Sequence, residues 1–162
     1  MKRIFVLMMI MMLLLTGCQH NTMEATMKKQ SYLGYRENIK NLDSSLTIYT
    51  TVTDFSSGGY AVVHSIETSS GDCFGVRFTS VSSKKTEFLV EFNDAESCWS
   101  EYNENLLCDL ICCFSENEFS LTEIKSMVHD MQTESYIRIN SQTSLFWDDY
   151  HDTIYYEETL SD

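Results

Sequence analysis

CFGVRFTSVSSKKTEFLVEF, residues 73–92, decides the fold class. Phe74, Val76 and Phe78 alternate with Cys73, Gly75 and Arg77. After a turn over Ser82–Lys85, Phe88, Val90 and Phe92 alternate with Glu87 and Glu91. Successive side chains of a strand point to opposite faces, so this pattern makes one apolar and one polar face on each segment. Two such strands joined by a short turn describe an antiparallel sheet covered on one side.

The pattern extends upstream. Ser45–Phe55 is rich in Thr, Ile, Tyr and Val, which suit a pleated surface. Ser56-Ser57-Gly58-Gly59 reads as a hairpin turn, Tyr60–Thr68 as the next strand, and Ser69-Ser70-Gly71-Asp72 as a second turn. These four strands form an up-and-down meander. Before them, Tyr32, Tyr35, Ile39 and Leu42 recur at helical spacing, so Tyr32–Leu42 is expected to be a short helix.

Downstream the period changes. Asn93 or Asp94 is a candidate helix cap, and Trp99, Tyr102, Leu106, Leu110 and Cys113 or Phe114 recur at three and four. Ser120-Leu121-Thr122-Glu123 is a capping-box signature, and Leu121, Ile124, Val128 and Met131 continue a second helix. Tyr136–Asn140 reads as a strand. Leu145–Trp147 and Thr153–Glu158 read as a last hairpin around Asp148–Asp152. The expected fold is α+β, a mainly antiparallel sheet of a four-strand meander and C-terminal strands, with two helices packed on one face. The alternative is a curved half-barrel closed by helices.

The N-terminal residues address location rather than fold. Lys2 and Arg3 precede an apolar run of 12 residues, Ile4–Leu15. A spanning helix needs about 20, so the run is too short to cross a bilayer and has the form of a secretory signal. Leu15-Thr16-Gly17-Cys18 resembles the lipobox of bacterial lipoproteins. That resemblance covers residues 1–18 alone. It implies a signal peptide over Met1–Gly17, cleavage before Cys18, and a diacylglycerol on the Cys18 sulfur, with further acylation holding the protein stably. Cys18–Ser31 would be a lipidated cysteine and polar tether, and Tyr32–Asp162 one globular domain. The 13 residues Gln19–Ser31 could reach roughly 40 Å if extended. The resemblance therefore implies a cell-envelope protein anchored by lipid. Gln19 stands where an Asp often marks inner-membrane retention, which points to the outer membrane in a host with two membranes. In a host with one, the domain would face outward from the cell membrane.

Charge narrows the partners. Without Lys2 and Arg3, nine Lys and Arg face 24 Asp and Glu, a net of −15. Such a chain is a poor ligand for nucleic acid and suits a basic protein. Five cysteines follow Cys18, an odd number, and none forms C-x-x-C. A disulfide between Cys73 and Cys98 would tie the third strand to the start of the helix. Cys108 and Cys112 share a helix face, but no second pair offers metal-ligand spacing, and buried small hydrophobes are the simpler reading. No metal site or cofactor is expected. His64 falls on the same face as Tyr60, Val62 and Ile66 and reads as a satisfied core or edge histidine. His129 reads as solvent-facing.

The densest polar cluster is Asp148-Asp149-Tyr150-His151-Asp152. With Trp147, Tyr155 and Tyr156 it makes a candidate binding surface of aromatics and acids. No nucleophile elbow or EF-hand loop is present. The expected function is a non-catalytic binding module for a protein partner, of the inhibitor, immunity or exclusion type. A carrier of lipid or another apolar ligand is the alternative. An envelope hydrolase or metal enzyme is the third.

Overall fold

A computed structural model describes residues 27–82, 85–93, 100–117, 119–131, 134–148, 150–151 and 153–160. The fold is α+β, with three helices and a seven-stranded antiparallel sheet that does not close. Helix α1 occupies residues 27–42. The strands are β1 (Thr47–Asp54), β2 (Tyr60–Glu67), β3 (Cys73–Ser82), β4 (Lys85–Asn93), β5 (Tyr136–Arg138), β6 (Thr143–Asp148) and β7 (Thr153–Leu160). Between β4 and β5 come α2 (Glu101–Phe114) and α3 (Leu121–Asp130).

The sheet order is β1-β2-β3-β4-β7-β6-β5. The N-terminal meander and the C-terminal meander meet where β4 pairs with β7, Val90 opposite Tyr156 and Phe92 opposite Ile154. Register carries the alternation across the whole sheet. Val62 faces Phe78, Val76 faces Val90, and Tyr156 faces Leu145. One face therefore collects Ile48, Val62, Ile66, Phe74, Val76, Phe78, Phe88, Val90, Phe92, Leu145, Ile154 and Tyr156 in a buried cluster. Side chains of all three helices join that cluster, among them Tyr32, Ile39, Leu107, Ile111, Ile124 and Val128. Stacked aromatics fill its centre: Tyr32 lies on Phe78 at 4.4 Å, Phe78 on Phe88 at 5.2 Å, and Phe74 on Phe92 at 4.4 Å. Offset stacking adds about 0.5–1.5 kcal/mol per pair beyond burial.

Helix boundaries differ from expectation in two places. Residues 27–31 are already helical, so α1 begins ahead of Tyr32; Met, Lys and Gln there are good helix formers. Asn93 does not cap α2. It extends the β4–β7 ladder opposite Thr153, and the cap is Ser100, whose hydroxyl accepts from the Asn103 N–H. Asp94 and Trp99 lie outside the described residues. Cys113 is exposed rather than core, because Phe114 takes the stripe position and Cys113 turns past it. The capping box of α3 forms as expected: Ser120 Oγ accepts from the Glu123 N–H, and Glu123 Oε2 accepts from the Ser120 N–H at 2.8 Å.

Candidate binding surface

The β6–β7 hairpin tip is organised by one carboxylate. Asp148 Oδ1 accepts from the backbone N–H groups of Tyr150 at 3.0 Å and His151 at 3.2 Å. His151 Nδ1 lies 2.6 Å from Asp148 Oδ2. Donation from the His151 ring holds the Asp148 carboxyl below the usual carboxylate range, with the two backbone N–H groups adding to it. Asp148 is therefore occupied by its own turn, as Asp commonly is in tight turns. Tyr150 is 87% exposed and meets the His151 ring edge-on. Asp149 and Asp152 lie outside the described residues.

The aromatics of the hairpin divide between the two faces of the sheet. Tyr156 points into the core and is fully buried. Its hydroxyl donates to Glu158 Oε2 at 2.8 Å. Ser115 Oγ donates to the same oxygen at 2.6 Å, and the Glu116 N–H donates to Oε1 at 3.1 Å. Glu158 is 3% exposed, and these three donors hold its carboxylate. Burial pushes the Tyr156 phenol above its ordinary range, and the Glu158 carboxylate reinforces that shift. This cluster ties the end of α2 to β7. Trp147 lies on the same face, half-buried, and its indole N–H has no hydrogen-bond partner among the described residues.

Tyr155 points to the opposite, outer face. There the register aligns Tyr136, Phe146, Tyr155 and Glu91 across β5, β6, β7 and β4. Phe146 stacks on Tyr155 at 5.0 Å, and Tyr136 tilts against Phe146 at 6.5 Å. Tyr136 is 57% exposed, and Phe146 and Tyr155 are half-buried. The Glu91 side chain lies over Gly75, where a Cβ would meet it at 2.4 Å. Glu157 and Arg138 occupy the adjoining row with Ser144. An open groove of about 390 Å³ beside the aromatic row is lined by Tyr136, Arg138, Gln142 and Glu157, among others. No family model, curated protein or solved structure matches the chain.

Of the residues expected at the surface, the fold brings Asp148, Tyr150 and His151 together at the tip. It sends Tyr155 to the outer face and Tyr156 inward. Phe146, which joins Tyr136 to Tyr155 in the aromatic row, is the member that the sequence did not single out as a surface. The signal was present: Phe146 and Tyr155 both alternate against a buried neighbour, but only the hairpin register places them side by side.

Cys73 is exposed, with its thiol 3.6 Å from the Gly71 carbonyl. Cys98 and Cys18 lie outside the described residues. Cys108 is fully buried, and burial pushes its thiol up to about 12, with Glu104 adding to the shift. A thiol held protonated is a poor metal ligand and nucleophile. Among the described residues, no three His, Cys, Asp or Glu side chains gather at metal-holding distance. His64 is fully buried and His129 is exposed. No helix among the described residues is long and apolar enough to cross a membrane.

Proposed function

We propose that the protein is a lipid-anchored module of the bacterial cell envelope that binds a protein partner without catalysis. The observation that carries this reading is the outer-face row of Tyr136, Phe146 and Tyr155, edged by Glu91 and Glu157, on a sheet whose other face is a buried apolar core. Rigid aromatics give large contact area at low entropic cost, and flanking acids favour a basic partner. In this reading α1, α2 and α3 cover the inner face and leave the outer face for contact. Diacylglycerol on Cys18 would supply the membrane attachment, and the surplus of acid would keep the domain off anionic headgroups.

A carrier would need an unfilled apolar hollow. The stacking of Phe74, Phe78, Phe88 and Phe92 in the inner cluster weighs toward the binding module.

The test is site-specific photo-crosslinking in the native membrane. A photoreactive side chain at Tyr155 or Tyr136 is expected to capture the same polypeptide. One at Glu67, on the same outer face but three strands away on β2, is expected not to. Equal capture from all three positions, or none from Tyr155 and Tyr136, would remove the aromatic row as the contact surface. Separately, Cys18→Ser is expected to release the protein from membranes. A variant that stays membrane-bound would overturn the lipid anchor without touching the binding surface.

A further inference from the structure

The two edges of the sheet are unequal. The β5 edge is three residues long and carries Arg138. The β1 edge is eight residues long and pairs with β2 in unbroken register from Thr47–Glu67 to Asp54–Tyr60. Natural edge strands are usually blunted by charge, proline, a bulge or shortness. Thr47–Thr53, TIYTTVT, has none of these, in a chain with a net charge of −13.

The ladder shows which groups are open. The Phe55 N–H donates to the Gly59 carbonyl at 2.8 Å, which makes that pair a hydrogen-bonded one. Antiparallel ladders alternate, so Thr53, Thr51, Tyr49 and Thr47 bond to β2, while the N–H and C=O of Val52, Thr50 and Ile48 point outward. Lys40 supports this assignment, since its ammonium donates to the outward carbonyl of Leu46. No described strand faces the outward groups of Ile48, Thr50 and Val52. An open groove of about 570 Å³ runs between this edge and α1, lined by Arg36, Lys40 and residues 45–51.

We propose that β1 pairs antiparallel with β1 of a second copy, about a two-fold axis through Thr50, to make one continuous sheet. The strand is self-complementary in this register. Ile48 falls opposite Val52 of the second copy on the inner face, and Tyr49 falls opposite Thr51 on the outer face. Leu46, whose carbonyl accepts from the Lys40 ammonium, falls opposite Asp54 of the second copy, which its own Lys29 already pairs, so each end brings that carboxylate between two ammoniums. The central uncharged stretch brings no like charges together. Pairing about a two-fold consumes both open edges and leaves only the short β5 edges, so the assembly stops at two.

The test uses the full chain extracted in non-ionic detergent. Native mass spectrometry is expected to show a dimer. Under mild oxidation, Thr50→Cys is expected to give a disulfide-linked dimer above the level of the parent chain. Paired Cα atoms there are about 5.5 Å apart, within disulfide reach. Thr53→Cys is expected to stay at the parent level, because the two copies of that position lie about 20 Å apart. Val52→Pro removes an outward N–H and leaves the β2 ladder intact, so it is expected to abolish the dimer, whereas Val52→Thr keeps it. A monomer alone in native spectra of the parent would overturn the proposal whatever the variants do. So would equal crosslinking at positions 50 and 53.

Discussion

His64 Nε2 lies 2.8 Å from the carbonyl oxygen of Tyr32, so a histidine on β2 is tied to the backbone of α1. Its Nδ1 lies 2.9 Å from the Thr50 hydroxyl on β1. A carbonyl only accepts, so Nε2 carries the proton; burial favours the neutral ring, in which Nδ1 accepts from the Thr50 hydroxyl. This single side chain joins helix and sheet through 32 residues of separation.

That neutrality makes stability depend on pH. Burial lowers the His64 pKa, the bond to Tyr32 opposes that shift, and Arg36 adds to it. Above about 6.5 both folded and unfolded chains hold the ring neutral, and the full stability is present. As pH falls below that value the unfolded chain takes up the proton first, so stability is lost until the folded ring also protonates. Thermal unfolding of the parent should therefore weaken between about pH 7.5 and 5.5 more than that of His64→Leu. Parallel pH profiles would contradict the neutral buried ring.

Glu158 is a buried carboxylate held by donors alone, Ser115 Oγ, Tyr156 Oη and the Glu116 N–H. Glu158→Ala leaves all three unmatched and should cost about 3–5 kcal/mol in urea unfolding. Tyr156→Phe removes one donor and keeps the ring, and should cost about 1 kcal/mol. Similar losses for the two variants would contradict a carboxylate-centred cluster.

Two glycines separate backbone from side-chain crowding. A Cβ at Gly59 would meet the Ser80 carbonyl oxygen at 2.3 Å, whereas one at Gly75 would meet the Glu91 side chain at 2.4 Å. Backbone in a sheet cannot step aside, but a glutamate can change rotamer. Gly59→Ala should lose about 1–3 kcal/mol, and Gly75→Ala distinctly less. Chemical denaturation of the two variants side by side checks the order.

The α3 cap offers a local test. Ser120 and Glu123 satisfy each other's backbone N–H groups, and hydrogen bonds from Ser120 hold the Glu123 carboxyl below its ordinary range. Ser120→Ala should cost about 1 kcal/mol, and Ser120→Asp should recover most of it. Equal stability of Ser120→Ala and the parent would show that the cap contributes nothing to α3.

Much of this was legible because it is local. Alternation in residues 73–92, turn chemistry at Ser56–Gly59 and Ser69–Asp72, and the Ser120–Glu123 capping box each act within a few residues. They place β1 to β4, α3 and the buried parity of Phe74, Val76, Phe88 and Val90. The start of α2 was less legible, because Asn93 is both a good cap and a good strand end. Which role it takes is decided by Thr153, 60 residues away.

From residue types in order alone came the α+β class, the strand count, the buried faces and the resemblance at Leu15–Cys18 to a lipobox. The meeting of β4 with β7 was decided only by the tertiary fold, and with it the separation of Tyr155 from Tyr156, the row of Tyr136, Phe146 and Tyr155, and the open β1 edge. Period and capping are properties of neighbouring residues. Sheet order and register depend on which apolar faces can be buried together, and no short window of sequence contains that choice.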